Sequence, residues 1–427
     1  MSLYSDSNLN TAYFDPKVFI ANNRVSFELM GHHLAYLPNM RIINFNANVA
    51  TRDTAPNRLA GVYGLIKNAR LLDGSTELSR LNEVGRWIGF KNQSQDIGYA
   101  MNVRNRLVGC QQGFTYEGAL DLLNYNGAEV PDLGTTEAGA GSYTVDLRDL
   151  FPILNQVSHL PTDLFKNLRV EIEYSSNALD QAVDANQAVT HLRPLLAVDY
   201  LDNEMIVKKM NAGLKGIVWN EIEHDSINVP QVDKDLAGSD LAVQSVNEKS
   251  NGFQNKHVER ILLAKEINNV KDGGGFLNGN IIRPAYGPLG SYSALREKVQ
   301  ARLNGRNIFP REGITKPNEA LGYLVDTWGE QNAYPNSNAI SRAKAMTATI
   351  EEANRITASE DFKGAHSYFG FYLGDKVQDL QINYERTNAR DTAAVVQPTS
   401  DGVRLHIFGE VRKGLSIQNG KYTVAYL

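Results

Sequence analysis

The tightest group of potential metal ligands in this sequence is Glu221, Glu223, His224 and Asp225. Carboxylates and imidazoles this close together are residue types that bind metal ions. Neighbouring residues on a strand point to opposite faces, however, so these four side chains cannot all converge on one ion. We therefore expect the group to lie on a solvated edge or loop rather than in a metal site.

Ser341 and Lys344 form a second candidate, because they have the S-x-x-K spacing of serine acylating enzymes. In such enzymes a nearby base activates the serine hydroxyl as a nucleophile. The S-D-N and K-T-G motifs that accompany this pair do not occur in the sequence. The pair also falls on a predicted helix, where Ser and Lys at this spacing are typical of a solvated surface.

The remaining candidates lack the context that their chemistry needs. His32 and His33 have no H-E-x-x-H pattern, and residues 233–235 (Asp-Lys-Asp) lack the Gly and distal Glu of a calcium loop. Residues 271–275 (KDGGG) lack the G-K-[ST] of a phosphate loop. Cys110 has no His or Asp that the sequence places beside it. The sequence thus predicts no catalytic, cofactor-binding or metal-binding residues, and a protein that is not an enzyme.

Composition narrows the class of protein further. The 427 residues carry a net charge of −5, with 43 basic and 48 acidic side chains, which argues against a surface that neutralises nucleic-acid phosphates. One cysteine excludes an intrachain disulfide. We see no signal peptide and no run of about 18 apolar residues. These features predict a soluble protein folded in the cytosol, without direct sequence-specific binding to nucleic acid.

Alternating apolar and polar residues predict half-buried strands in the first half of the chain. The clearest run is Leu168, Val170, Ile172 and Tyr174. Residues 64–72 form a further predicted strand that ends in an Asp73-Gly74 turn. Residues 1–20 are polar with scattered aromatic residues, and we interpret them as an N-terminal arm rather than a strand.

Two helices are predicted after this turn. Ser79 is a suitable N-cap for a helix whose apolar face contains Leu81, Val84, Gly85 and Ile88. A second short helix is predicted from residue 94 to about residue 108.

The second half of the chain repeats this order of elements. Strands are predicted around Ile217 and Trp219, over residues 257–267, and from residue 369 to the last residue of the sequence. A further strand is predicted over residues 299–303 and ends at an Asn304-Gly305 turn. Apolar residues at helical spacing predict helices near residues 317–328 and over 341–358.

Three short matches between the halves indicate an internal repeat. They pair residues 69–74 with 301–305, residues 168–174 with 380–384, and residues 198–201 with 424–427. The offsets are 232, 212 and 226 residues, and the order is conserved. We interpret the last pair as the closing strand of each of two similar domains.

Domains of about 200 residues with eight or so short strands are typical of jelly rolls. We therefore predict a mainly β protein made of two tandem eight-stranded jelly-roll β-barrels with short helices and long loops. The predicted boundaries are an N-terminal arm over residues 1–20, a first jelly roll over 21–205 and a second over 206–427.

Several motifs resemble those of double jelly-roll major capsid proteins of icosahedral DNA viruses, a family that includes virophage, polinton-like and giant-virus-related proteins. Residues 66–74 resemble the family's I-K-x-x-x-L strand with one Gly in place of two, and residues 195–204 resemble its L-L…Y…L-D…E strand with shortened spacing. Residues 303–311 resemble its L-N-G-x-x-x-F-x-x-R pattern, with one residue instead of two between Phe309 and Arg311. Residues 415–427 have the shape, but not the Gly-rich text, of its final strand.

The resemblance implies a homotrimeric, pseudo-hexagonal capsomer that assembles into the shell of a virion in the host cytoplasm or virus factory. Its implied partners are further copies of the chain, penton and minor capsid proteins, and an internal membrane. Residues 109–141, 175–189, 270–292 and 329–338 are the loops expected to form the outer tower. No cofactor is implied.

The alternative is a carbohydrate-binding or carbohydrate-cleaving β-sandwich protein, because jelly rolls also occur in lectins and glycanases. Such a site needs an aromatic platform, and the sequence offers only Trp87, Trp219 and Trp328. A cupin-like enzyme would need a His/Glu metal cluster on facing strands, which is not evident.

Overall fold

The computed structural model is mainly β and describes residues 9–31, 33–45, 47–49, 60–92, 105–108, 143–175, 189–214, 216–229, 242–267, 295–310, 313–314, 323, 326–327, 368–388 and 403–427. Within these ranges, the strands of residues 9–201 pair only with one another, and those of residues 216–426 do the same. Each half therefore forms its own pair of facing sheets.

The first barrel contains two main sheets and a small two-stranded sheet. Sheet 1 contains β1 (Leu9–Phe14), β4 (Ala35–Tyr36), β5 (Arg41–Ile43), β9 (Val145–Asp146), β10 (Leu160–Pro161) and β13 (Leu195–Leu201). Sheet 2 contains β2 (Val18–Ile20), β3 (Arg24–Leu29), β7 (Ile66–Asp73), β8 (Thr76–Asn82) and β11 (Leu168–Tyr174). The small sheet pairs β6 (Ala47–Val49) with β12 (Val189–His191).

The second barrel contains fewer strands, most of them longer. Sheet 3 contains β14 (Gly216–Val229), β16 (His257–Ile267), β19 (Tyr368–Lys376), β21 (Val403–Gln418) and β22 (Lys421–Tyr426). Sheet 4 contains β15 (Ala242–Ser250), β17 (Leu295–Leu303), β18 (Arg306–Asn307) and β20 (Leu380–Asn388).

Eight strands occupy the same positions in both barrels. Sheet 1 has the order β1-β13-β5-β9 and sheet 3 the order β14-β21-β16-β19. Sheet 2 has the order β3-β11-β7-β8 and sheet 4 the order β15-β20-β17-β18. In both barrels these strands also follow one another in the same order along the chain, and all pairs are antiparallel. This arrangement is the Greek-key topology of a jelly roll.

The interpretation of residues 1–20 as an arm rather than a strand is wrong for the residues that the structure describes. Leu9 pairs with Leu201 and Phe14 with Leu196, so β1 is the first of the eight strands of the barrel. Residues 18–20 add a further strand next to β3. The polar residues of β1 leave no alternating apolar pattern, so the sequence did not indicate a strand. The strand forms through backbone hydrogen bonds to β13, which do not depend on the side chains.

Two of the three repeat matches join equivalent strands. Residues 69–74 and 301–305 lie at the ends of β7 and β17, and residues 168–174 and 380–384 lie in β11 and β20. The third match is wrong, because the counterpart of β13 is β21. Residues 424–427 belong instead to β22 and its end, an additional strand that pairs with β21.

The predicted turns are confirmed. Gly74 connects β7 to β8 with a φ of 59°. Asn304 and Gly305 connect β17 to β18 with φ values of 50° and 81°. Positive φ at both central residues is the geometry that Asn-Gly favours in tight hairpins.

The predicted N-cap at Ser79 is wrong. Residues 76–82 continue as strand β8, and helix α1 begins only at Val84 and ends at Asn92. Ser79 is buried within the strand. Of the predicted helix over residues 94–108, the structure describes 105–108 as helix α2 (Asn105–Val108).

Other helical predictions fall largely on residues that the structure does not describe. Residues 323, 326 and 327 of the predicted helix near 317–328 are helical. The helix over residues 341–358 and the interiors of the four proposed tower loops lie outside the described residues.

Two further short helices belong to the first barrel. Helix α3 (Leu147–Leu150) is capped by Asp146, whose carboxylate accepts from the backbone N–H of Arg148. Helix α4 (Glu204–Gly213) follows β13 and places Val207 against Ala35 and Leu201 of sheet 1. A hydrogen bond of 3.0 Å between His159 Nε2 and Asn211 Oδ1 adds to this contact.

Candidate functional site at the junction of the barrels

The two barrels meet along β14, which packs against β8 and the Pro152–Asn155 turn of the first barrel. A group of polar side chains meets there, ranging from the buried Glu221 to the partly exposed Tyr426, and we call it the junction cluster. Its members are Ser79, Arg80, Trp219, Glu221, Glu223, Lys256, Lys413 and Tyr426.

Glu221 lies at the centre of the junction cluster and is 1 % exposed. Its Oε1 accepts hydrogen bonds from Ser79 Oγ at 2.8 Å and from the backbone N–H of Arg80 at 3.0 Å. Its Oε2 accepts from Trp219 Nε1 at 2.8 Å and lies 3.5 Å from Lys413 Nζ, which is also buried. Three of the four donors are neutral, and both oxygens of the carboxylate are occupied by the protein itself.

Glu223 connects the same two barrels through charged partners. Its carboxylate lies 3.1 Å from Arg80 Nη2 of the first barrel and 3.4 Å from Lys256 Nζ of the second. Tyr426 donates a further hydrogen bond to it. Three cations therefore surround the two carboxylates of the cluster, Arg80, Lys256 and Lys413.

Burial and hydrogen bonding shift the pKa values of the two carboxyl groups in opposite directions. Burial raises the pKa of Glu221, and this effect outweighs Lys413 and the three hydrogen bonds. Burial also acts on Glu223, but the Tyr426 hydroxyl, Lys256 and Arg80 together lower its pKa. The pKa of the Tyr426 hydroxyl is raised by its burial and by its bond to Glu223.

Apolar contacts continue the junction on both sides of the polar group. Trp87 of α1 packs on Phe408 of β21 with ring centroids 5.5 Å apart. Phe165 of the first barrel packs on Tyr422 of β22 at 5.0 Å. One continuous buried cluster contains the core of the first barrel together with second-barrel residues Ile217, Trp219, Ile222, Leu262, Ala264, Phe408 and Leu415. The rest of the second barrel has a separate core, which includes Phe371, Ile382 and Ile407.

The prediction that Glu221 and its neighbours lie on a solvated edge or loop is wrong. Glu221 and Glu223 are buried on one side of β14 because the first barrel covers that side. The expectation that the four side chains do not converge is confirmed. His224 stacks on His406 with Nε2 and Nδ1 3.0 Å apart, and Asp225 accepts from Ser250 Oγ at 2.6 Å.

The other sequence candidates lie elsewhere. His33 lies 3.0 Å from Asp163 on the surface. His32, Cys110, Ser341 and Lys344 lie outside the described residues, as do residues 233–235 and 271–275. Within the part of the chain that is described, no group of three or more His, Cys, Asp or Glu residues is arranged to hold a metal ion. Nor does any described helix have the length and apolarity to cross a membrane.

Sequence reasoning missed Arg80, Lys413 and Tyr426. A signal was present for Lys413, because it occupies an inward position in the alternation of Leu405, Ile407, Val411 and Leu415. Glu221 and Glu223 interrupt the corresponding alternation of β14 in the same way. Charged residues at inward positions of two strands that pair with each other indicate a buried ionic contact.

The geometry of the junction cluster suits a structural role. Each carboxylate accepts from several protein donors at once, and both carboxylates are buried. Because donors of the first barrel satisfy carboxylates of the second, a shifted placement that kept the barrels in contact would leave these buried charges without partners. The cluster therefore favours a single relative placement of the two barrels.

Comparisons with known proteins agree with this architecture. No protein-family model matches the sequence, and comparison with curated proteins finds no match. Solved structures of viral capsid proteins match over nearly the whole chain, among them the following three. A chain of the PBCV-1 virus capsid is 11 % identical, with 100 % of this chain and 99 % of that chain covered at a TM-score of 0.53.

The mavirus major capsid protein is 11 % identical, covering 98 % of this chain and 90 % of that chain at a TM-score of 0.54. The Faustovirus major capsid protein is 7 % identical, covering 98 % and 92 % at a TM-score of 0.54. At these identities the likeness concerns the fold. The chain has the double jelly-roll fold of these proteins, which confirms the fold prediction.

Proposed function

We propose that this chain is a major capsid protein whose homotrimers form pseudo-hexagonal capsomers of an icosahedral DNA-virus shell. The observation that carries the proposal is a likeness of fold that extends through both barrels to three capsid proteins. The barrels also share one buried junction, so the chain has the fixed shape that a repeating shell unit needs. The role is structural rather than enzymatic.

An open strand edge in the first barrel supports assembly with further copies of the chain. Strands β1 and β14 are equivalent edge strands, yet β14 packs against the first barrel, whereas the side chains of β1 are mostly exposed. Tyr13 of β1 is 65 % exposed, and Leu9 is also exposed. An uncovered edge with apolar side chains is a surface that another chain can cover. The second barrel of a neighbouring copy is the expected partner, because it would repeat the contact that already exists within one chain.

The proposed division of the chain follows from the packing of α4. The helix lies against sheet 1 and contacts the first barrel through His159. We therefore place the boundary near residue 214, later than the predicted residue 205, and assign β1 to the first barrel. Neighbouring trimers, penton and minor capsid proteins and an internal membrane remain the proposed partners, with assembly in the host cytoplasm or virus factory.

Two of the three tryptophans argue against the carbohydrate-binding alternative. Trp87 and Trp219 are buried in the junction, so neither is available as an exposed platform for a sugar ring. Trp328 lies outside the described residues.

Light scattering coupled to size exclusion, followed by negative-stain imaging, tests the proposal. We expect a particle of about 142 kDa, three times the 47.3 kDa chain, with a hexagonal outline, or whole shells. A chain that stays monomeric at high concentration would contradict the proposal and make a glycan array the next experiment.

A matched pair of variants tests which surface the trimer uses. Tyr13→Arg on β1 should give monomers, because it places a charge on the edge that we expect another copy to cover. Met205→Arg on α4 is the control, since Met205 is 81 % exposed and lies outside both β1 and the strands of the second barrel. If Tyr13→Arg still forms trimers, the trimer interface does not include the edge of β1.

A further inference from the structure

Strand β22 is not one of the eight strands that the two barrels share. It follows β21 through a tight turn at Asn419 and Gly420, with φ values of 51° and 72°. It pairs with β21 from Gln418 opposite Lys421 to Lys413 opposite Tyr426. The second barrel has its complete set of eight strands without β22, so this strand has another role.

One face of β22 lies against the first barrel. The Tyr422 hydroxyl donates to Asp73 Oδ2 at 2.5 Å, and Asp73 ends strand β7 of the first barrel. The ring of Tyr422 packs on Phe165, and Val424 packs against the buried cluster that the two barrels share. Burial and the bond to Asp73 raise the pKa of the Tyr422 hydroxyl, so it remains a donor at any physiological pH.

Tyr426 extends this contact into the junction cluster. Its hydroxyl donates to Glu223, whose carboxylate binds Arg80 of the first barrel. Its ring faces two lysines, with Lys256 Nζ 4.4 Å and Lys413 Nζ 5.4 Å from the centroid. Cations over the face of an aromatic ring are attracted to it.

The opposite face of β22 contacts only the second barrel in the bonds that the structure records. Thr423 Oγ1 lies 2.8 Å from Ser416 Oγ, and both belong to sheet 3. Tyr422 thus reaches the first barrel directly from one face of β22 and Tyr426 reaches it through Glu223, whereas the recorded bond of the opposite face stays within sheet 3. This difference makes the roles of the two faces separable by substitution.

We propose that β22 is a strap that locks the relative orientation of the two barrels, and that it stabilises the junction rather than the second barrel. Release of the strap would loosen the contact of β14 with β8 while both cores stay folded. Since every contact lies within one chain, the proposal does not depend on the proposed function.

Hydrogen–deuterium exchange of the full chain tests the strap. In Tyr422→Phe/Tyr426→Phe both hydroxyls are lost while the rings stay. We expect amides of β8 and β22 to exchange about tenfold faster or more, because hydrogen bonds to carboxylates are among the stronger ones. Strand β20 should exchange as in the wild type. Thr423→Ala is the matched control and should leave β8 unchanged.

Two results would overturn the proposal. One is wild-type exchange of β8 in the double variant. The other is acceleration of β20 equal to that of β8, which would make β22 part of the second barrel's own stability.

A double-mutant cycle of Tyr422→Phe with Asp73→Asn keeps the test decisive if the double tyrosine variant does not fold. The Asn still accepts the 2.7 Å bond from the Asn167 backbone that Asp73 Oδ1 accepts. We expect the two substitutions to be strongly non-additive in their effect on β8 exchange. Additive effects would show that Tyr422 and Asp73 do not act together, and would overturn the strap.

Discussion

The two barrels have the same strand order, yet their equivalent first strands lie in opposite surroundings. The side chains of β1 are mostly exposed, whereas residues 217–223 of β14 are largely buried against the other barrel. The difference comes from the lengths of the strands. β14 and β21 have 14 and 16 residues, and their counterparts β1 and β13 have six and seven. The extra residues of the second barrel reach beyond its own core and form the junction.

The comparison teaches that fold and interface are separate properties of a strand. Residues 224–229 of β14 help to close the second core, while residues 216–223 of the same strand cover the first barrel. The same strand order therefore gives an open edge in one barrel and an internal interface in the other.

The largest expected effect is at Trp87, which belongs to the first barrel and packs on Phe408 of the second. Trp87→Ala should lower the free energy of unfolding by about 4 kcal/mol, because it leaves a cavity at the shared core. Urea denaturation measures this loss, and hydrogen exchange should show it in both barrels. Val218→Ala, at an exposed position of β14, is the control and should cost less than about 0.5 kcal/mol. A loss of exchange protection that is confined to the first barrel would contradict a core shared by both barrels.

Lys413→Met should be the next largest change. It removes a cation from beside Glu221 while keeping most of the buried chain, and breaking a buried ion pair costs about 3 kcal/mol. The matched substitution in the first barrel is Arg70→Met, which breaks the exposed pair with Glu171 at 3.2 Å. Its cost should stay below about 1 kcal/mol. Chemical denaturation gives the loss in free energy of unfolding for each variant. Equal losses would show that the buried pair of the junction contributes no more than the exposed pair.

Acid should weaken the first barrel through His191. This ring is buried, stacks on Tyr174 at 3.8 Å and lies 2.6 Å from Asn22 Oδ1. Burial lowers the pKa of His191 to about 4. Between pH values of about 6.5 and about 4, His191 is protonated in the unfolded chain but neutral in the folded chain. The free energy of unfolding therefore falls as the pH falls.

The expected loss is about 2 kcal/mol across that window, measured by urea denaturation at several pH values. His191→Gln should flatten the pH dependence. Asn22→Gly keeps the positive φ of 61° and the imidazole, and should retain the dependence. An unchanged profile in His191→Gln would assign the acid sensitivity to other groups.

The smallest expected effects are at the two equivalent turns. Gly74→Ala and Gly305→Ala each place a Cβ in open space at a positive φ, so only backbone strain opposes the change. Each should cost about 1 kcal/mol in thermal or chemical denaturation. Similar costs would sharpen the equivalence of the two barrels, and a much larger cost at one turn would indicate a contact specific to that barrel.

The periodicity of the sequence predicted much of the fold. Leu168, Val170 and Ile172 alternate with charged residues, and the strand they predict is present. The Asn-Gly and Asp-Gly turns and two of the three repeats also agree with the structure, because turn chemistry and period-2 burial act over a few neighbouring residues.

Features that depend on distant partners were not predictable in this way. β1 lacks a clear alternation of apolar and polar residues, and its pairing partner lies about 190 residues away. Glu221 looked like a solvated charge because Arg80, whose backbone binds it, is 141 residues away in the chain. Local reasoning assigns such residues to solvent unless the partner is known. The breaks in alternation at Lys413, Glu221 and Glu223 were the local signals of buried charge.

The pairing of first with last strand also sets the order in which the protein can fold during synthesis. Leu9 pairs with Leu201, so sheet 1 of the first barrel stays incomplete until β13 has left the ribosome. At about 5–20 residues per second this leaves β1 without its partner for roughly 10–40 seconds. The second barrel repeats the delay, because β14 must wait for β21. Such non-local closure predicts slow folding and a chain that depends on chaperones while its strand edges are exposed.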